Sequence, residues 1–198
     1  DKLRIDYTDT DKGVALLEPS RTNSLVQSNQ FDTTWTINSA SVVGDQSGIY
    51  NSLDAWKLVG IGGNNDKVLQ NVPSGTSTFS IYAKVGNQNF TFISLGNGFA
   101  YFNIETGVVT STSGVVSTNI ESIGNKWYRL SITVALSSSS NVQIYIASAD
   151  GSVVTNNGDF IYIQHAQLEV GTFATSIIPT SGSAVTRAAD VANGSGNS

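Results

Sequence analysis

The side chains that could do chemistry in this chain are few. There is one histidine, His165, within Tyr162-Ile163-Gln164-His165-Ala166-Gln167, and there is no cysteine. A thiol nucleophile, a thiolate metal site and a disulfide are therefore excluded. No Gly-x-Ser-x-Gly elbow, no His-Glu-x-x-His and no histidine pair is encoded, which leaves triad and zinc chemistry without its parts. A lone histidine on a strand reads first as a hydrogen-bonding residue.

Carboxylates at Asp32, Asp45, Asp54, Asp66, Glu105, Glu121, Asp150, Asp159 and Glu169 could meet in space as an acid–base pair. Nearly all stand beside Gly, Asn, Ser or Thr, so we expect solvated turn residues. Gly60-Ile61-Gly62-Gly63 lacks the following Lys-Ser/Thr of a phosphate loop and reads as a flexible inter-strand loop. Asn64-Asn65-Asp66 and Asp150-Gly151-Ser152 offer hard oxygen ligands. No cofactor is required, and a structural calcium is allowed, although neither segment has the repeated acids of a dedicated loop.

The positive signal is aromatic. A sugar ring stacks its C–H face on Trp or Tyr, while its hydroxyls need Arg, Lys, Asn, Gln or His as partners. Tyr82, Lys84, Arg129, Tyr145, Gln164 and His165 supply that chemistry and could share one sheet face as a ligand-binding surface. The competing reading is cross-strand packing by the two tyrosines with Arg129 covering them. Trp35 and Trp127 are expected to pack at core edges, and Trp56 to be exposed.

The elements that position these residues are strands. Alternation puts Phe79, Ile81, Ala83 and Val85 inward with Ser80, Tyr82 and Lys84 outward. Likewise Tyr128, Leu130, Ile132 and Val134 oppose Trp127, Arg129, Ser131 and Thr133, and Val142, Ile144 and Ile146 oppose Gln143 and Tyr145. Phe90–Leu95 and Ala100–Ile104 flank Gly96-Asn97-Gly98 as a hairpin, and Glu105-Thr106-Gly107 turns into Val108-Val109. In the strand Phe160–Glu169 the apolar parity switches between Ile161/Ile163 and Ala166/Leu168, which predicts a bulge at Gln164-His165.

Such strands recur about every 10 residues between Gly/Asn/Ser turns, without helical periodicity, so the fold class is all-β, a two-sheet antiparallel β-sandwich of the jelly-roll kind. The 198 residues fit one such domain. We divide the chain into residues 1–24, an N-terminal extension or linker packing on the domain; 25–187, the sandwich; and 188–198, a flexible Gly/Ser/Asn-rich tail. Only 13% of residues are charged, the net charge is −5, and Lys and Arg are scattered, which argues against a nucleic-acid partner. No stretch approaches a membrane-inserting span. The chain starts at Asp1 and reads as part of a larger parent protein.

Three segments carry a family resemblance. Leu16-Leu17-Glu18-Pro19-Ser20-Arg21-Thr22-Asn23, Lys126-Trp127-Tyr128-Arg129 and Ala166-Gln167-Leu168-Glu169-Val170-Gly171-Thr172-Phe173-Ala174-Thr175-Ser176, with a final Ala184-Val185-Thr186-Arg187-Ala188-Ala189-Asp190, resemble a module of bacteriophage tail and tail-fibre proteins. Ser28-Asn29-Gln30-Phe31-Asp32, Trp35 and the Phe79–Val85 and Phe160–Glu169 strands are similar to jelly-roll carbohydrate-binding modules appended to polysaccharide-degrading enzymes. The resemblance implies a non-catalytic polysaccharide-binding module, an extracellular or virion-surface location, and a calcium near the first and last strands. Gln164 and His165 stand where that calcium would need acids. Lys84 and Arg129 favour an acidic polysaccharide. A tail-fibre assembly module without a glycan, oligomeric through the same face, is the alternative, and a polysaccharide lyase or hydrolase the third reading.

Overall fold

Alternating apolar and polar residues, interrupted by turns that need Gly or Asn, build the regular structure of the described residues almost entirely from strands. The computed structural model describes residues 5–6, 14–15 and 17–191. In chain order the strands are β1 (Ile5–Asp6), β2 (Val14–Ala15), β3 (Arg21–Asn23), β4 (Thr36–Asn38), β5 (Ala40–Gln46), β6 (Ala55–Gly63), β7 (Lys67–Val72) and β8 (Gly75–Val85). They continue as β9 (Phe90–Leu95), β10 (Gly98–Asn103), β11 (Val108–Ser113), β12 (Ser117–Gly124), β13 (Trp127–Leu136), β14 (Ser140–Ala147), β15 (Thr155–Val170) and β16 (Val185–Arg187). Two six-stranded antiparallel sheets result: a front sheet ordered β11-β10-β9-β14-β7-β4 and a back sheet ordered β12-β13-β8-β15-β6-β5. The chain crosses repeatedly from one sheet to the other, as a jelly roll does.

Between the sheets lies one core. Ile93, Leu95, Phe102, Val142, Ile144 and Ile146 of the front sheet meet Phe79, Ile81, Leu130, Ile132, Ile161 and Leu168 of the back sheet, each almost or wholly buried. The expected parity of β8, β13 and β14 is the observed one. Gly96-Asn97 links β9 to β10 in a two-residue turn with Gly96 at φ 60°. The predicted bulge is present: the β15 register slips between Gln164 and Gln167, and His165 takes φ 49°. One extra residue returns Ala166 and Leu168 to the core side after Ile161 and Ile163.

Several expectations are corrected. Gly60–Gly63 is the end of β6, not a loop. Trp56 is buried at 9% exposure, its indole N–H donating to the Asn29 carbonyl at 2.7 Å and its ring edge-on to Phe31. Asp66, Asp159 and Glu169 are buried rather than solvated. Each meets donors that replace water: Asp66 takes Gly62 N and the Thr155 hydroxyl, Asp159 takes Asn156 N, and Glu169 takes Gln167 Nε2 with the amide and hydroxyl of Thr175.

The segments that carried the tail-module resemblance converge in space. Residues 171–178 cross the outer face of the back sheet as a strap. Thr78 Oγ1 and Thr133 Oγ1 donate to the carbonyls of Gly171 and Thr172, and Gln167 holds Ile178 N with its Oε1 while its Nε2 donates to Thr175 and Ser176 carbonyls. The strap is clamped from outside by Glu18, which accepts Ser176 N at 2.7 Å and pairs with Arg187 at 3.0 Å. β3 and β16 pair antiparallel beside it, and Asp190 N donates to the Glu18 carbonyl. Of the segment expected as a flexible tail, residues 192–198 lie outside the described residues, as does most of the extension up to residue 16.

Candidate functional site

The register of the front sheet determines which outward side chains stand in one row. Asn38 on β4 pairs with Lys67 on β7, Lys67 with Tyr145 on β14, Tyr145 with Phe92 on β9, and Phe92 with Tyr101 on β10. All five point away from the core because Val68, Ile144, Ile93, Ala100 and Phe102 point into it. Four strand spacings of about 4.8 Å make this row about 19 Å long, perpendicular to the strands. The neighbouring row holds Leu69, Gln143, Ser94 and Phe99.

Four rings of these rows touch. Phe92 is the hub, with centroids 4.7 Å from Tyr101, 5.0 Å from Tyr145 and 5.2 Å from Phe99. The Phe92, Phe99 and Tyr145 side chains stay partly open to solvent and Tyr101 is nearly covered. Polar groups continue the rows at each end. Lys67 Nζ donates to the Tyr145 hydroxyl at 2.6 Å, and that hydroxyl donates to Gln143 Oε1 at 2.8 Å. Toward β11, Asp150 accepts from Thr110 Oγ1 and Ser111 Oγ. Burial raises the Tyr101 phenol pKa, and the negative Asp150 and neighbouring Tyr145 push it further the same way. Tyr101 therefore stays a neutral phenol at any ordinary pH.

The six residues nominated from sequence are not on one surface. Tyr145 belongs to the front sheet, whereas Tyr82, Lys84, Arg129, Gln164 and His165 belong to the back sheet. Within the back sheet the expected alignment does occur, since Glu121, Arg129, Tyr82 and Gln164 fall in one cross-strand row. Much of that face is covered by the strap. Arg129 donates to the Thr175 carbonyl at 2.5 Å and to Ser80 Oγ at 3.1 Å, with its guanidinium 5.5 Å from the Tyr82 ring centre. Tyr82 is 4% exposed and packs with Ile49, Ala55 and Trp127. Lys84 lies between the rings of Trp127 and Tyr162.

Gln164 is fully buried, its Oε1 accepting Ile49 N at 2.8 Å and its Nε2 donating to Ser52 Oγ and Asp54 Oδ1. The His165 backbone N–H donates to Asn29 Oδ1, and its Nε2 is 3.7 Å from Asp54 Oδ2. Burial lowers the His165 pKa, against the opposing pull of Asp54. The residues present do not fit the calcium that the jelly-roll resemblance implies. Gln164 aims a donor at Asp54 and Ser52, Asp150 is engaged by two hydroxyls, and among the described residues no three His, Cys, Asp or Glu gather to hold an ion.

Sequence reasoning missed Phe92, Phe99, Tyr101 and Lys67. The signal was there: Ile93 and Leu95 on one strand of the hairpin and Ala100 and Phe102 on the other fix the inward parity, and the rings are what remains.

No protein-family model and no curated protein sequence matches the chain. Among solved structures, the CBM22-1–GH10 modules of Clostridium thermocellum endo-1,4-β-D-xylanase 10B complexed with xylohexaose align with TM-score 0.45 at 12% identity, over 81% of this chain and 30% of that one. The CBM22-2 xylan-binding domain of Paenibacillus barcinonensis Xyn10C aligns with TM-score 0.43 at 12% identity, over 76% of this chain and 98% of that one. The enzymatically active domain of bacteriophage CBA120 tailspike protein 4 aligns with TM-score 0.41 at 14% identity, over 74% of this chain and 21% of that one.

Proposed function

We propose that the chain is a non-catalytic polysaccharide-binding module whose binding surface is the outer face of the front sheet. The observation that carries this is the contiguous set of three partly open aromatic rings, Phe92, Phe99 and Tyr145, backed by the nearly covered Tyr101 and continued by Lys67, Gln143 and Asn38 on one side and by Thr110, Ser111 and Asp150 on the other. Apolar ring faces would stack the C–H faces of successive sugars, and the flanking amide, amine and carboxylate would meet their hydroxyls. A row about 19 Å long suits several sugar units laid across the strands.

The non-catalytic part of the reading is supported by the state of the carboxylates. Glu169 accepts internal hydrogen bonds at both oxygens, Asp159 accepts Asn156 N, Asp66 is wholly buried with one oxygen held by Gly62 N and Thr155, and Asp150, the acid beside the aromatic rows, is engaged by two hydroxyls. An acidic polysaccharide would have to be recognised through Lys67, since Lys84 and Arg129 are on the other sheet.

Affinity electrophoresis through gels containing xylan, mixed-linkage β-glucan, mannan or alginate tests the proposal. At least one polymer should retard the wild-type chain, and Tyr145→Ala should restore its free mobility. No retardation by any of the polymers, together with concentration-dependent self-association in sedimentation that Tyr145→Ala disrupts, would replace it with an assembly role for the same face.

A further inference from the structure

The strap does not close the back sheet completely. Beside it is an open hollow of about 320 Å³, lined by Tyr50, Tyr82, Glu121, Arg129, Ser176 and Ile177 among others. A second hollow of about 260 Å³ continues from it, sharing Glu121 and Arg129 and adding Asn119, Ser131, Thr133 and Phe173. Together they run along β12 and β13, parallel to the strands.

Tyr50 is the feature of this hollow that packing does not explain. It is 76% exposed, and both Tyr50 (φ 54°) and Asn51 (φ 59°) take the left-handed backbone that non-glycine residues avoid. Two such residues in succession persist only where surrounding bonds over-determine them, and that kind of strain concentrates at ligand sites. The bonds are present. Gly48 N donates to the Ser52 carbonyl, and Ser52 returns its own N–H and hydroxyl to the Ile49 carbonyl. From beneath, buried Gln164 takes Ile49 N and gives its amide to Ser52 Oγ. Gln164 pairs with Tyr82 just ahead of the β15 bulge and shares its outward face. A polar side chain with no exposure is thus spent on holding out one exposed tyrosine.

That ring is held beside matched polar groups. The Tyr82 phenol is raised in pKa by burial first, with Arg129 opposing and both Tyr50 and Glu121 adding to the rise, which puts the two phenols and the carboxylate within electrostatic reach of one another. At the far end Phe173 is 51% exposed with the Arg21 guanidinium 5.1 Å from its ring centre. Between the two rings lie hydroxyls, an amide and Glu121.

We propose that this hollow is a second saccharide site that takes the terminal sugar of a glycan. That sugar stacks on Tyr50 and offers adjacent hydroxyls to Glu121, and the next unit points along Asn119 and Ser131 toward Phe173. At the lower limit of ligand-pocket size, the hollow holds one ring rather than a length of polymer. The site shares no residue with the front-sheet face and does not depend on it. Gln164 acts as a positioning residue through the turn that carries Tyr50.

The test uses the Tyr145→Ala chain, so that the front face is disabled, and saturation-transfer NMR titrations with glucose, galactose, mannose, xylose, N-acetylglucosamine, glucuronate and their β-linked disaccharides. At least one should bind, with affinity tenfold or more weaker after Tyr50→Ala and after Glu121→Gln, and largely restored in Tyr50→Phe. Both variant positions are exposed, and unchanged melting checks that they fold. Binding indifferent to both substitutions, or no binding by any of the sugars, overturns the proposal. Sugar binding present in the wild type and abolished by Tyr145→Ala alone would assign all recognition to the front face, supporting that reading while defeating this one.

Discussion

Glu18 and Arg187, near opposite ends of the described chain, form a 3.0 Å ion pair in which the carboxylate side chain is 7% and the guanidinium 17% exposed. The pair clamps the strap, because Glu18 also accepts Ser176 N and Arg187 Nη1 donates to the Ser176 carbonyl. Removing one partner leaves a poorly hydrated charge, so Arg187→Ala is expected to cost about 3 kcal/mol, the lower end for such pairs. Urea unfolding reads this as a lower midpoint at an unchanged slope. A loss below about 0.5 kcal/mol, typical of a surface substitution, would show that the clamp is decorative.

Arg129 is expected to be structural, in contrast to the surface residue its parity on β13 implied. It holds the strap by a charged hydrogen bond to the Thr175 carbonyl, is anchored to β8 through Ser80 Oγ, and covers the Tyr82 ring. Arg129→Ala should therefore cost about 2–3 kcal/mol. It should also speed proteolysis within residues 171–178, read by mass spectrometry of limited digests. Arg129→Lys should recover only part of the stability, because a single ammonium cannot replace the planar fork.

Phe92 separates packing from recognition on the front sheet. It makes three ring–ring contacts, each worth about 0.5–1.5 kcal/mol beyond burial. Phe92→Ala should accordingly lower stability by about 2 kcal/mol and abolish retardation by polysaccharide. Phe92→Leu should recover only the part of the stability that comes from burial, since it too lacks the ring contacts, and still lose retardation. Retention of full polymer binding by Phe92→Leu would mean that the ring only fills space.

Stability should depend on pH through His165. Burial depresses its pKa below the ordinary 6.5, while Asp54, the charged group that faces it, opposes the shift. With the folded pKa the lower one, the unfolded chain takes up the proton first as pH falls. Stability is then full above about pH 6.5, falls below it, and levels off under the depressed folded value. Urea midpoints between about pH 7.5 and 5.5 should show this slope. His165→Asn, tolerant of the left-handed backbone, should flatten it.

Calcium should not stabilise the chain, since Gln164 turns an amide donor toward the oxygens of Ser52 and Asp54. Melting in EDTA and in millimolar calcium is expected to coincide. A rise in melting temperature with calcium would mean that some other oxygen cluster holds the ion.

Strand parity was legible because it is local. Ile, Val and Leu at alternate positions identified the inward faces of β8, β13 and β14, and the broken alternation of β15 placed the bulge at Gln164-His165, within the observed slip between Gln164 and Gln167. What parity does not carry is which sheet a strand joins. Tyr145 and Arg129 both face outward, and only the pairing of β14 with β7 and β9, against β13 with β12 and β8, puts the thickness of the sandwich between them. The strap was invisible for a related reason. Gly171–Ile178 has no periodicity, and its place over Ser80, Arg129 and Gln167 depends on hydrogen bonds between residues distant in sequence. Asp66 and Asp159 look like turn residues in the sequence because they follow Asn65 and Gly158, until donors such as Thr155 for Asp66 are brought to them by the fold.

The β3–β16 ribbon has a mechanical consequence. Arg21 pairs with Arg187, Thr22 with Thr186 and Asn23 with Val185, so the chain enters and leaves at the same end of an antiparallel pair. A tensile load applied upstream of Arg21 and downstream of Arg187 would peel this ribbon one rung at a time instead of shearing all its rungs together. The Glu18–Arg187 pair sits at the mouth where peeling begins. Force would therefore breach the clamp and loosen the strap over the back sheet while the front sheet, whose strands lie inside the loop between these two points, still carried its aromatic rows intact.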